Sequence, residues 1–171
     1  MKKIIVLSAF IFATVFFASC SGPEGPAGDN GNANVWSVSY IIYPSDWVAD
    51  GFGKWYDRRT TPIIDKYIMD FGAVLFYLKS TNGNNTWTQL PSTAVYHDQV
   101  GNTYSEEYVP WYGVGMLEIQ FYDTHPTTPL KPDWNCVIKV VVIDGNPAAM
   151  KKLKEVDTDN YEQVKATFNL D

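Results

Sequence analysis

The chain has 171 residues, with 13 basic against 19 acidic side chains, a formal charge of −6, and 46% hydrophobic residues. An acidic balance without a basic cluster speaks against a nucleic-acid partner and against electrostatic docking to anionic lipid. The length suits one domain with a sizeable core, preceded by a short targeting segment.

The first residues are a short basic start, Lys2 and Lys3, then an apolar run from Ile4 to Phe17, then Ala18, Ser19 and Cys20. This is the pattern of a secretory leader. The run falls short of the ~18 apolar residues a spanning helix needs, and Cys20 closes it. No later segment of the sequence qualifies as a span.

Phe17-Ala18-Ser19-Cys20 resembles the lipobox of bacterial lipoproteins, in which small residues precede a cysteine that is acylated before the leader is removed; Phe17 replaces the usual aliphatic residue. That resemblance implies a leader over 1–19, a mature chain starting at lipidated Cys20, and anchoring without spanning. Several acyl chains at about 0.8 kcal/mol per buried CH₂ hold a protein durably. Without the leader's two lysines, eleven basic and nineteen acidic side chains remain. With Cys20 in the anchor, Cys136 has no disulfide partner within the chain, and its place in the apolar run CVIKVVVI suits a small buried hydrophobe.

From Gly22, four triplets place glycine at every third position: Gly-Pro-Glu, Gly-Pro-Ala, Gly-Asp-Asn and Gly-Asn-Ala. Only glycine fits the axis of a collagen helix, but four triplets, two without proline, are too few for a stable one. Residues 20–34 read instead as a tether, roughly 20 Å long as a coil and about 40 Å fully extended. Either length clears a headgroup layer.

After Asn34 the composition turns aromatic and β-branched, opening a β domain over 35–171. In VWSVSYIIY, Trp36, Val38, Tyr40 and Ile42 share one face and Ser37 and Ser39 the other, as in a half-buried strand. PSDWVADGFGKWYDRRTTP fits a long loop or a broken strand pair, and IIDKYIMD fits a strand or a helical turn equally well. FGAVLFYLK is apolar on both faces, a central strand, and Asn82-Gly83 signals a hairpin to the returning strand TWTQL. A strand near 103–109 follows.

GVGMLEIQFY alternates Leu117, Ile119 and Phe121 against Glu118 and Gln120, and DTHPTTPLKPD, with three prolines, is a loop. WNCVIKVVVI reads as a second central strand. Asn146-Pro147 marks a helix start, and Thr158 or Asp159, three residues before Glu162 in the latter case, is the expected cap of a short C-terminal helix whose Tyr161, Val164 and Phe168 share a face. Six or seven short strands with one terminal helix make the chain mainly β: a single β-sandwich, immunoglobulin-like or jelly-roll-like.

The lipobox cysteine, the Gly-Pro-x triplets and GNANV leading into an aromatic strand are similar to the collagen-like lipoproteins of Bacteroidetes-type bacteria, and GAVLFYLK, WTQLP and IKVVVI resemble that family's later strands. The resemblance implies a cell-envelope address, anchored to the outer membrane and facing the periplasm or the surface, and a β domain without an established activity. Ser21 and the single early acid Glu24 give a sparser acidic run than the surface-export pattern.

Catalytic chemistry has thin support. His97 and His125 are both placed in loops or edges without a nucleophile motif, and His97 and Asp98, being adjacent, point to opposite faces of a strand. There is no His-x-x-x-His pair or CxxC, and neither DTDN at 157–160 nor GDNGN at 28–32 has calcium-loop spacing. No enzyme activity, metal or cofactor is expected.

The enriched chemistry is aromatic: six Trp, eleven Tyr and nine Phe. Trp36, Trp87 and Trp134 suit the core. Trp47, Trp55, Tyr56, Trp111 and Tyr112, beside Gly, Pro or charged residues in expected loops, are candidate contacts for a glycan or a surface protein, or plugs for the ends of the sandwich. The expected function is a non-catalytic structural or binding domain, with a carbohydrate-binding or adhesion module as the alternative and a hydrolase built on scattered acids a distant third.

Overall fold

A computed structural model describes residues 34–80, 85–125 and 130–170. The leader, Cys20, the glycine triplets and the Asn82-Gly83 turn lie outside the described residues. The described residues all belong to one compact unit.

Among the described residues, nine strands build two antiparallel sheets, a β-sandwich. β1 (Val35–Ile42), β4 (Ala73–Lys79), β5 (Trp87–Gln89) and β9 (Cys136–Ile143) form a four-stranded sheet in the order β1-β9-β4-β5. β2 (Val48–Ala49), β3 (Lys54–Thr60), β6 (Ser92–His97), β7 (Thr103–Gly113) and β8 (Met116–Asp123) form a five-stranded sheet ordered β2-β3-β8-β7-β6. Helices α1 (Lys66–Phe71), α2 (Pro147–Glu155) and α3 (Tyr161–Phe168) complete the fold.

The two strands expected to be central, β4 and β9, lie side by side inside the four-stranded sheet. Alternation then sends their side chains to two cores. Cys136, Ile138, Val140 and Val142 join Phe76 and meet Leu117, Ile119 and Phe121 of β8 between the sheets. Val141, Ile143 and Tyr77 face the other way, under Ala149, Tyr161, Val164 and Phe168 of α2 and α3. Each fully buried Val, Ile or Phe contributes about 1.5–3 kcal/mol, so a sheet this apolar on both sides requires both covers.

The ambiguous segments resolve through local hydrogen bonds. After buried Ile64, the Asp65 carboxylate accepts from the Ile68 N–H at 2.8 Å, capping α1 and making this segment a short helix. PSDWVADGFGKWYDRRTTP is a broken strand pair: Asp50 accepts from the N–H groups of Phe52 and Lys54, while Gly51 and Gly53 supply positive φ between β2 and β3. Pro110 sits in β7 beyond the last residue paired with β6, at a position that can lack an N–H.

The tail forms two helices, not one. Asn146 caps α2 with Pro147 in the first turn, as expected. For α3 the cap is Asn160, which accepts from the Gln163 N–H; Thr158 and Asp159 lie in a turn, where Asp159 donates its own N–H to the Asp157 carboxylate. The shared face of Tyr161, Val164 and Phe168 is buried, as its period indicated.

A close approach ties α1 to the strand end. A Cβ on Gly145 would sit 2.5 Å from the Phe71 carbonyl oxygen and closer still to its Cβ, whereas one on Gly113 would meet nothing nearer than Met116 Cγ at 3.8 Å. Gly145→Ala is therefore expected to lower the unfolding free energy by about 1–3 kcal/mol, the usual cost of overpacking. Gly113→Ala should leave the urea midpoint nearly unchanged.

Candidate functional site

The five candidate aromatics do not form one platform. Trp47 is 4% exposed and packs its ring on Phe121 and Tyr108, with centroids 6.0 and 6.5 Å away, so it belongs to the core and offers no ligand face. Trp55, Tyr56, Trp111 and Tyr112 lie in strands β3 and β7, not loops. Trp55 is paired with Phe121, points inward with it, and lies under the Lys131 ammonium. Tyr112 packs on Phe76 across the sandwich, with 40% of its surface still exposed.

Tyr56 and Trp111 share the outer face of the five-stranded sheet. Trp111 is 62% exposed, and Tyr56 lies beside the Arg58 guanidinium. Between them runs a closed polar ladder. Arg58 donates to Glu118 Oε2 through Nε at 2.9 Å and Nη2 at 2.6 Å. Gln120 donates to Glu118 Oε1, and the Tyr122 hydroxyl donates to Gln120 Oε1.

Glu118 and Gln120, on the polar side of the β8 alternation, are therefore buried beneath their neighbours. Burial alone would raise the Glu118 carboxyl, but hydrogen bonds from Gln120 and Arg58 more than offset it and hold the group below the usual carboxylate range. The ladder's polar groups are already satisfied by one another.

The inner face at the opposite edge of the sandwich is different. Two hollows open there, one between the β7–β8 pair and the segment before β9, the other between β4–β5 and β6–β7. A hollow of about 450 Å³ is walled by Tyr104, Trp134, Phe121, Asp123, His125 and Lys131. A second, of about 280 Å³, runs between β4–β5 and β6–β7 past Tyr96 and Tyr108. Glu106 and Trp134 line both, so they stand between the two hollows.

Register explains the chemistry at that junction. Glu106 on β7 is paired with Asp123 on β8, which sets two carboxylates side by side on the inner face. Like charges opposed in this way are destabilising. Asp123 is occupied by the following loop, accepting from the His125 N–H and the Leu130 N–H, each at 2.8 Å. The Glu106 carboxylate has no hydrogen-bond or ion-pair partner among the described residues. Burial, then the nearby charges of Asp123 and Asp133, push its carboxyl above the ordinary glutamate value. The Tyr96 and Tyr104 rings, stacked with centroids 5.4 Å apart, extend the aromatic wall from one hollow to the other.

The remaining candidates are placed as follows. His97 accepts or donates at Nδ1 with the Thr103 hydroxyl at the far end of the β6–β7 pair, and the His125 ring meets Tyr104 edge-on. Cys136 is fully buried, its thiol pushed up to about 11 chiefly by burial. Trp36, expected in the core, is 40% exposed although it points to the core side. Among the described residues no group of three or more His, Cys, Asp or Glu is placed to hold a metal. A further hollow of about 540 Å³ lies at the start of α3. Its rings, Trp87 and Tyr161, are already covered by the Lys139 ammonium.

Glu106 escaped the sequence reading because its neighbours in YSEEYVP resemble any polar strand. The one available signal was the inward phase it shares with Tyr104 and Tyr108.

A carboxyl raised in the folded state favours folding below its unfolded pKa and costs stability as pH rises through the folded one. Glu106→Gln should accordingly melt higher than the parent protein at neutral pH. The advantage should shrink as pH falls toward the ordinary glutamate range. Glu118→Gln should behave oppositely, losing most at neutral pH, and thermal melts across a pH series read both.

No protein-family model, curated protein or solved structure matches the chain.

Proposed function

We propose that the protein is a lipid-anchored cell-envelope protein whose sandwich binds an elongated, polyhydroxylated ligand, a glycan, in the groove that crosses Glu106 and Trp134. The observation that carries this is the half-buried Glu106 carboxylate, without a partner among the described residues, between two aromatic-walled hollows. A carboxylate accepts hydrogen bonds from sugar hydroxyls, and the apolar faces of sugar rings pack on aromatic rings. Convergent polar groups in a ring-lined cleft are the usual form of a small-ligand site.

Charge narrows the class. Glu106, Asp123 and Asp133 face Lys131 in the larger hollow, so the wall is net acidic. Neutral sugars or amino sugars fit it, and uronic or sialic acids do not. The membrane anchor rests on the leader and Cys20, and no helix among the described residues is long and apolar enough to cross a membrane.

Titration calorimetry against a panel of neutral and amino oligosaccharides should find a ligand whose binding is lost in Tyr104→Ala and Glu106→Ala and kept in Trp111→Ala. Binding lost only in Trp111→Ala would move the site to the outer sheet face; no binding across the panel would remove the glycan reading. For the anchor, cells fed a clickable palmitate should label the wild-type protein and not Cys20→Ala. Equal labelling of the two would sink the lipoprotein assignment.

A further inference from the structure

Sheet edges carry unpaired backbone groups, and three of the four outer strands here are short or flanked by polar side chains. β2 has two residues, β5 three, and β6 six residues with Ser, Thr and His among them. β1 is different: eight residues, Val-Trp-Ser-Val-Ser-Tyr-Ile-Ile, without a charge or a proline. It pairs with β9 from Val35 opposite Ile143 to Ile42 opposite Cys136 with no slip, so it has no bulge either. Within the strand no charge, proline or bulge blunts the edge, and only its last outward carbonyl, that of Ile41, is met by a charged side chain, Arg59.

The free side of β1 can be assigned residue by residue. The Asp144 N–H donates to the Asn34 carbonyl, which sets the even-numbered residues of β1 toward β9. In an antiparallel ladder the groups then alternate, so Val35, Ser37, Ser39 and Ile41 turn their N–H and C=O outward. Arg59 Nη2 reaching the Ile41 carbonyl at 3.1 Å agrees with that phase. On the core side of the same strand, Trp36 is 40% and Val38 49% exposed, although their β9 partners Val142 and Val140 are buried. The five-stranded sheet does not cover them.

We infer that β1 pairs with β1 of a second copy, antiparallel, about a two-fold axis through Val38, joining the two four-stranded sheets into one. In this register Ser37 and Ser39 of the two copies exchange backbone hydrogen bonds. Val35 faces Ile41, Trp36 faces Tyr40, and Val38 faces its own counterpart. Every residue meets one of its own kind, and outward backbone groups meet outward groups, the Ile41 carbonyl sharing its second lone pair with Arg59 Nη2. The Trp–Tyr and Val–Val pairs fall at the non-hydrogen-bonded positions, where side chains approach most closely.

The neighbouring registers match less well: a two-fold at Ser37 sets Val35 against Ser39 and Asn34 against Tyr40. A shift by one residue opposes core-side and outer-side residues. A shift to a two-fold at Ser39 sets Ser37 against Ile41 and Trp36 against Ile42, which is already fully buried. The self-complementarity of the strand singles out a second copy of this chain as the occupant, in the isologous arrangement of a two-fold dimer.

The test uses the full chain carrying Cys20→Ser, so that acyl chains do not drive association. Sedimentation velocity should show a concentration-dependent dimer, and Val38→Lys, which sets two ammonium groups together at the axis, should lose the dimer boundary. Its melting temperature should stay near that of the parent at matched low concentration, because Val38 is half exposed in a single copy. Mild oxidation should link Val38→Cys into a covalent dimer and leave Val48→Cys, equally exposed on the other sheet, unlinked. A parent chain monomeric at every concentration, a dimer that survives Val38→Lys, or a Val38→Cys variant that stays monomeric under oxidation would each overturn the pairing.

Discussion

Everything in this domain depends on β9 being apolar on both faces. A strand that reads Cys-Val-Ile-Lys-Val-Val-Val-Ile cannot present either side to water without exposing several large side chains, so it must lie inside a sheet covered above and below. The second sheet supplies one cover and α2 with α3 the other. The single charge in the strand, Lys139, is accommodated by donating to the Tyr161 hydroxyl and resting on aromatic rings.

That demand places the remaining features. Helices occupy one face of the four-stranded sheet, which leaves the outer face of the five-stranded sheet without a layer above it. The chain covers this face with its own side chains: Arg58, Glu118, Gln120 and Tyr122 satisfy one another in a ladder. Polar groups that saturate each other have little to offer a ligand. On the inner face Glu106, between the two hollows, has no partner among the described residues. The structure separates polar groups that close a surface from polar groups that leave one open, and the proposed site is built on the second kind.

What the sequence makes legible follows the same division. The central strands, the alternation of Leu117, Ile119 and Phe121, the Asn146-Pro147 helix start and the buried face of α3 are local patterns with a fixed period, and each is read within one element. Trp47 could not be placed in this way. Its neighbours are turn residues, and its burial comes from Tyr108 and Phe121, more than sixty positions away. Glu118 and Gln120 alternate correctly yet are buried, because their cover is supplied across strands by Arg58 and by their own mutual bonds. The groove was invisible for the same reason: the opposition of Glu106 and Asp123 is a property of register between two strands, not of either strand alone. The shift of the α3 cap to Asn160 is subtler, since three successive polar residues compete for one position and the Asp157 turn decides it.

The two free regions lie at opposite ends of the strand orders. β1 and β2 open one side of the sandwich, while β5 and β6 bound the groove on the other. Pairing through β1 would therefore leave both grooves of a dimer unobstructed and pointing apart. Occupying one groove would not compete with assembly, and two grooves held on one rigid sheet would face a repetitive glycan with an effective concentration set by their separation. Such an arrangement raises avidity by as much as 10²–10⁴ without new contacts when the ligand spans both sites, and by nothing when it does not. A modest single-site affinity, expected of an open polar groove, is thus compatible with firm attachment to an extended polymer and weak retention of a free oligosaccharide.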